Sequence, residues 1–301
     1  MLMEIRRIAI IVASLSAVAF ALESGILRET SSKAGAEEPE DDAEKKLALE
    51  RKERYSKWMR TYAEGTQVEL TDGTPANDSD RKLAEIIPNP VLRYSDEEHR
   101  IPDATLWVWT SEGRPAAFQK VEGNNHGGGQ LWTICFASLS ESLVKVKWPM
   151  GRSFTSHNPG ITFRAIPAAE IPSENARLRT SQIKLLKEQF SARFGVQADG
   201  KGGSEARILS KPLFEYSDPK TKMPWGAIFG ISSTGTNPSA LLLIEARPDE
   251  EGKLQWQYGL ARMTTFSVRA SLNNVEVWSE PEGNNLESGR WTYFFLRRDF
   301  P

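Results

Sequence analysis

SKPLFEY at Ser210–Tyr216, GAIFGISSTGTNPSALLLIEARP at Gly226–Pro248, LQWQYGLARMTTF at Leu254–Phe266 and NNVEVW at Asn273–Trp278 are the pieces that decide the fold. They are short apolar and β-branched runs broken by Gly, Pro, Asn and Asp, the pattern of antiparallel strands joined by hairpins. Within them, Ala240–Ile244 is apolar at consecutive positions, so that strand needs cover on both faces.

A second copy of the pattern lies upstream, from Ile87 to Trp148. Pro90, Tyr94, Ser95 and Asp96 in PVLRYSD match Pro212, Tyr216, Ser217 and Asp218 in PLFEYSD. Trp107 then falls on Phe229 and Gly113 on Gly235, Pro115 on Pro238, Glu122 on Glu245, Trp132 on Trp256, and Trp148 on Trp278. The matches keep their order, with insertions only in turn-rich places, which reads as an internal duplication. The counterpart of Ala240–Ile244 is Ala116–Val121, AAFQKV, which alternates and is expected to face water on one side.

A helical segment precedes each copy. Ala43–Tyr62 places Tyr55, Trp58, Met59 and Tyr62 at helical spacing, and Asn175–Phe194 places Ile183, Leu186, Phe190 and Phe194 on one side, with Gly195 closing it. The expected fold is α+β and mainly β: two diverged helix-plus-antiparallel-meander units, at residues 43–172 and 173–301. The last segment, Arg290–Pro301, is expected to be a strand, corresponding to ITFRAIP at Ile161–Pro167.

The first 21 residues read as a signal peptide. Arg6 and Arg7 form a basic start, Ile8–Phe20 is apolar apart from Ser14 and Ser16, and Ala19-Phe20-Ala21 is a small-x-small cleavage signature. The expectation is export, periplasmic or secreted, with a mature chain beginning at Leu22. Residues 22–42, ending in EEPEDD, read as an acidic solvated linker. No later segment is apolar enough to cross a membrane. In 301 residues a net charge of −2 gives no global pull toward nucleic acid, and a single cysteine, Cys135, excludes an intrachain disulfide.

The tempting motifs fail on their context. His126-Gly127-Gly128-Gly129 matches an oxyanion loop, but its partner, a G-x-S-x-G elbow, is missing its second glycine at Gly230–Thr234. GVQADGKG at Gly195–Gly202 comes near a phosphate-binding loop, but Gly202 stands where the magnesium-binding hydroxyl belongs and no helix is expected after it. His99, His126 and His157 have no metal-ligand spacing, so neither a metal nor a cofactor is expected. Cys135 sits inside WTICFAS and reads as a buried, inert thiol.

The second half, with RLRTSQIKLLKEQF, RILSKPLFEY, GAIF, GTNPS, LLLIEAR, WQYGLARM and VW in that order, resembles a large family of exported proteins of planctomycete bacteria. LWVWTSEGRPAAF extends the resemblance faintly into the first half. The resemblance implies a location and an architecture but no chemistry. Where that family usually has G-T-D-P-E, this chain has Gly235-Thr236-Asn237-Pro238-Ser239. A cation or substrate held by those two acids in relatives is therefore expected to be lost here.

Two functions follow as expectations. The first is a non-catalytic cell-envelope protein with a binding or scaffolding role, its partner an envelope polysaccharide or another exported protein. Its candidate residue is Trp109, expected to face solvent and offer a stacking surface. The alternative is an envelope hydrolase using Glu122 or Glu245 as general acid or base in a site between the repeats.

Overall fold

The computed structural model describes residues 39–71, 82–126, 129–197, 200–218, 223–283 and 289–297. The signal-peptide and linker expectations therefore fall outside the described residues, except for the linker's last few positions, which are helical. Helix α1 runs Pro39–Glu64 and is followed by β1 (Gln67–Thr71), β2 (Lys82–Ile86), β3 (Leu92–Asp96), β4 (Ile101–Ser111), β5 (Arg114–His126), β6 (Gly129–Ser138), β7 (Leu143–Lys147), β8 (Ser153–Thr155) and β9 (Arg164–Ala165). Helix α2, Ala176–Lys187, opens the second half. It precedes β10 (Phe190–Val196), β11 (Gly202–Ile208), β12 (Phe214–Asp218), β13 (Met223–Ser232), β14 (Ala240–Pro248), β15 (Leu254–Arg262), β16 (Val268–Leu272), β17 (Val275–Glu280) and β18 (Trp291–Arg297).

The expected mainly β, antiparallel fold is what forms. The first sheet has the order β18-β6-β5-β4-β2-β1-β7-β8, with β3 on β4; the second has β9-β15-β14-β13-β11-β10-β16-β17, with β12 on β13. The orders coincide element by element, and so do the registers. Tyr94 faces Ala104 and a bulge precedes the Asp96–Ile101 pair, just as Tyr216 faces Gly226 and a bulge precedes Asp218–Met223. Glu85 and Ile86 face Thr110 and Trp109 as Arg207 and Ile208 face Ser232 and Ile231.

The ninth strand of each set is exchanged. β9, which follows the first eight strands, pairs with β15 of the second sheet; β18, at the end of the chain, pairs with β6 of the first. Each sheet is thus finished by a strand from the other half. Residues 46–301 form one compact unit that holds both sheets.

The layers follow from alternation along β14. Leu242 and Ile244 pack under α2 with Ile183, Leu186, Phe229 and Trp256. Leu241 and Leu243 point the other way, meeting Leu106, Val108 and Phe118 of the first sheet. The first sheet's outer face carries Trp107, Trp109, Trp132 and Ile134 against Tyr55, Met59 and Tyr62 of α1. The consecutive apolar residues therefore cover two cores at once, each fully buried aliphatic side chain contributing about 1.5–3 kcal/mol.

Several local expectations need correction. The predicted second helix stops at Lys187, and FSARFGV is the strand β10, with Phe190, Ala192, Phe194 and Val196 alternately buried. Positions four apart share a face in a helix and in a strand alike, so Phe190 and Phe194 did not discriminate between the two. The GVQADGKG loop consequently joins two strands, Val196 pairing with Gly202. β1, β2 and β11 join the expected strands; they are short or poor in apolar residues and lie beside turn-rich segments. AAFQKV of β5 does not face water: Ala116–Val121 is buried throughout. Gln119 accepts a 2.6 Å hydrogen bond from Trp148 Nε1, so a polar residue is accommodated inside the core.

Candidate functional site

The matched strands place two Tyr–Glu pairs at equivalent points. Tyr94 on β3 donates to Glu122 Oε1 at 2.7 Å, and Tyr216 on β12 donates to Glu245 Oε1 at 2.6 Å. Both carboxylates are buried, with Glu122 at 3% and Glu245 at 0% exposure. Burial, the nearby carboxylate and the hydrogen bond to it hold both phenols well above the ordinary tyrosine range.

Each pair is met by a turn from the other half. Gly113, between β4 and β5, approaches Ser217; Gly235, between β13 and β14, approaches Ser95. Gly113 has φ +88°, and a Cβ there would lie 3.0 Å from the Ser217 carbonyl oxygen, so only glycine fits comfortably. The contacts are reciprocal, as in a two-fold interface.

The turns deliver different side chains. Arg114 reaches Glu245 from one η-nitrogen, donating to both carboxylate oxygens at 2.9 and 2.8 Å. Arg247 adds a 3.4 Å hydrogen bond to Glu245 and a 2.8 Å hydrogen bond to Glu141. Both guanidinium groups lie over Phe163, at 5.8 and 4.3 Å from its ring centre. Two arginines therefore fill this site.

The match of Pro115 with Pro238 puts Asn237 where Arg114 stands, and the register puts Asn124 where Arg247 stands and Lys120 where Leu243 stands. Tyr293 takes the place of Phe163. The shorter side chains leave a cleft of about 340 Å³, lined by Lys120, Glu122, Asn124, Asn237 and Tyr293 among others. Lys120 is buried and donates to Asn237 Oδ1 at 2.7 Å and to the Met263 carbonyl at 3.0 Å. Its Nζ lies 3.8 Å from Glu122 Oε1, beyond hydrogen-bond reach. Among the described residues nothing donates to Glu122 Oε2. Asn237 also donates to Asp96 at 2.9 Å, and Asp96 meets His99 Nδ1 at 2.8 Å. Burial opposes ionisation of Asp96, but the bonds from Asn237 and His99 outweigh it and hold the carboxyl below its usual range.

The chain matches no family model, no curated protein and no solved structure.

The expected site residues are placed as follows. Glu122 lines the cleft; Glu245 is held by Arg114 and is not among the residues lining it. The two carboxylates thus belong to two corresponding sites, not to one shared pair. Trp109 is 1% exposed and packed under α1, so it offers no solvent-facing surface. Trp107 and Trp109 share one face of β4, and α1 covers that face. Cys135 is buried, and burial pushes its thiol up to about 12. His126 and Gly129 pair across the β5–β6 hairpin. Among the described residues no cluster of three or more His, Cys, Asp or Glu could hold a metal ion, and no helix is long and apolar enough to cross a membrane. Sequence reading missed Lys120, Asn124, Asn237 and Tyr293. Their signal lies in the positions where the two matched stretches differ.

Proposed function

We propose that this is an exported, non-catalytic binding protein of the cell envelope whose ligand enters the cleft beside Glu122. The internal duplication belongs to this reading: the two sheets are diverged copies, one keeping a site closed by its own arginines and the other opened as a binding site. The asymmetry between the sites carries the proposal. One Tyr–Glu pair is saturated by Arg114 and Arg247, while its equivalent faces a cleft of about 340 Å³ with a carboxylate oxygen to spare. The volume suits a small polar ligand or one side chain of a larger partner. Export rests on the signal-peptide pattern of residues 1–21, and kinship with the exported planctomycete proteins remains part of the proposal.

The test is a thermal-shift panel of small polar compounds, cations, anions and neutral sugars, on the mature chain. It compares the wild type with Asn124→Arg/Asn237→Arg, which restores the arginines of the closed site. A compound that raises the wild-type melting temperature and leaves the double variant unmoved supports the reading. A panel with no wild-type response contradicts it.

A further inference from the structure

The closed site shows what the open one lacks. At Glu245 the carboxylate is met by one guanidinium that donates to both its oxygens and by a second, and both lie on the Phe163 ring. At Glu122 the same carboxylate–tyrosine pair survives, Tyr293 stands in the aromatic position, and neither arginine is present. Among the described residues no cation lies over the Tyr293 ring. Resting on the binding reading above, we propose that the cleft at Glu122 takes a guanidinium group, which forms there the carboxylate and aromatic contacts that Arg114 and Arg247 make in the closed site.

The chemistry favours this class over others. Glu122 is ionisable, nine-tenths buried, and presents Oε2 without a donor, so it calls for a cation or a strong hydrogen-bond donor. A guanidinium matches a carboxylate with several fixed donors and stacks on an aromatic ring, whereas an ammonium does only the first, as a point charge. Lys120 forms a long ion pair with Glu122 Oε1, at 3.8 Å, but its Nζ hydrogen bonds go to Asn237 and Met263, so it leaves Oε2 without a donor. Its charge does not forbid a second cation: Glu245 already carries two, Arg114 and Arg247. In the cleft lining the carboxylates of Glu98 and Glu122 are matched in number by Arg100 and Lys120. An anionic ligand would still meet Glu122 Oε2 directly, and a neutral sugar would offer that oxygen no charge-assisted donor.

A guanidinium can come from a free alkylguanidine or from an arginine side chain of a peptide, and the test separates the two. Methylguanidinium, n-butylammonium, n-butyrate and the peptide Gly-Gly-Arg-Gly-Gly are titrated into the mature wild-type chain, followed by isothermal calorimetry. The expected result is saturable binding of methylguanidinium, tighter than n-butylammonium, with no binding of n-butyrate. Glu122→Gln keeps an acceptor for Tyr94 and lowers affinity by on the order of tenfold, the scale of one hydrogen bond to a charged group. If that variant does not fold, Tyr293→Ala replaces it and weakens methylguanidinium more than n-butylammonium, since only the first stacks. Tighter binding of the peptide than of methylguanidinium assigns the source to a protein arginine, and the reverse to a free metabolite. Binding of n-butyrate, or of another panel compound without a guanidinium, in preference to methylguanidinium overturns this inference and leaves the binding cleft standing. No binding by any compound overturns both.

Discussion

Arg114 and Glu245 face each other from different sheets, the guanidinium donating to both carboxylate oxygens at 2.9 and 2.8 Å. Glu245 is wholly buried, so this contact is what allows a charge to stay inside the sheet interface. Removing one partner of such a pair is costly because the other remains desolvated. Arg114→Ala should destabilise the fold by about 3 kcal/mol, and adding Glu245→Gln should recover much of that loss. Urea denaturation of the single and double variants measures both effects.

The two phenol–carboxylate bonds should behave alike. Tyr94→Phe and Tyr216→Phe each remove a hydrogen bond to a buried charged group, and each should cost about 1.5–3 kcal/mol. Equilibrium denaturation gives the values. A loss at one position with none at the other would show that the corresponding bonds do different jobs.

Acid should weaken the fold through Asp96. Its carboxyl is held below the usual aspartate range, so the stability it contributes is full above the unfolded pKa, about 3.9. That contribution is lost as pH falls through the folded pKa. Asp96→Asn should therefore flatten the acid limb of a stability–pH profile below about pH 4 and leave its neutral shape unchanged.

Cys135 should be silent in the folded protein. Its thiol is buried and pushed up to about 12, so almost no thiolate is present at pH 8. Iodoacetamide at pH 8 should leave the native chain unlabelled and label it fully in urea, as mass spectrometry would read directly.

The exchanged strands give a test of the architecture. β18 lies at the end of the chain but covers the edge of β6 and sends Phe294 into the core under α1. Phe294→Ala should cost about 3–5 kcal/mol. Hydrogen exchange should show the loss first in β6, far away in sequence, ahead of the neighbouring β16 and β17.

The meander strands and both aromatic faces were legible because apolar runs and turn residues stood out, as in Ala240–Ile244 and in Trp132 with Trp256. The partner of β18 was not, because Phe294 reads as a strand residue without saying which edge it joins. β11 has no apolar alternation to detect, and in β1 the alternation of Val68 and Leu70 spans only five residues beside a turn-rich run. The cleft was hidden for a related reason. Lys120 shares the face of Glu122 on β5 but looks like a surface residue in the sequence, and Asn237 reaches the site only through the fold. Trp109 failed the other way: its face was right, but cover by a distant helix cannot be read from a strand alone.

One site is closed by arginines and its equivalent is open, a difference that isothermal calorimetry of methylguanidinium reads as stoichiometry in the wild type and in Arg114→Asn/Arg247→Asn, the variant that opens the closed site. One bound ligand per wild-type chain and two per variant chain are expected. No binding by the wild type, or one ligand bound by a folded variant, would overturn that difference.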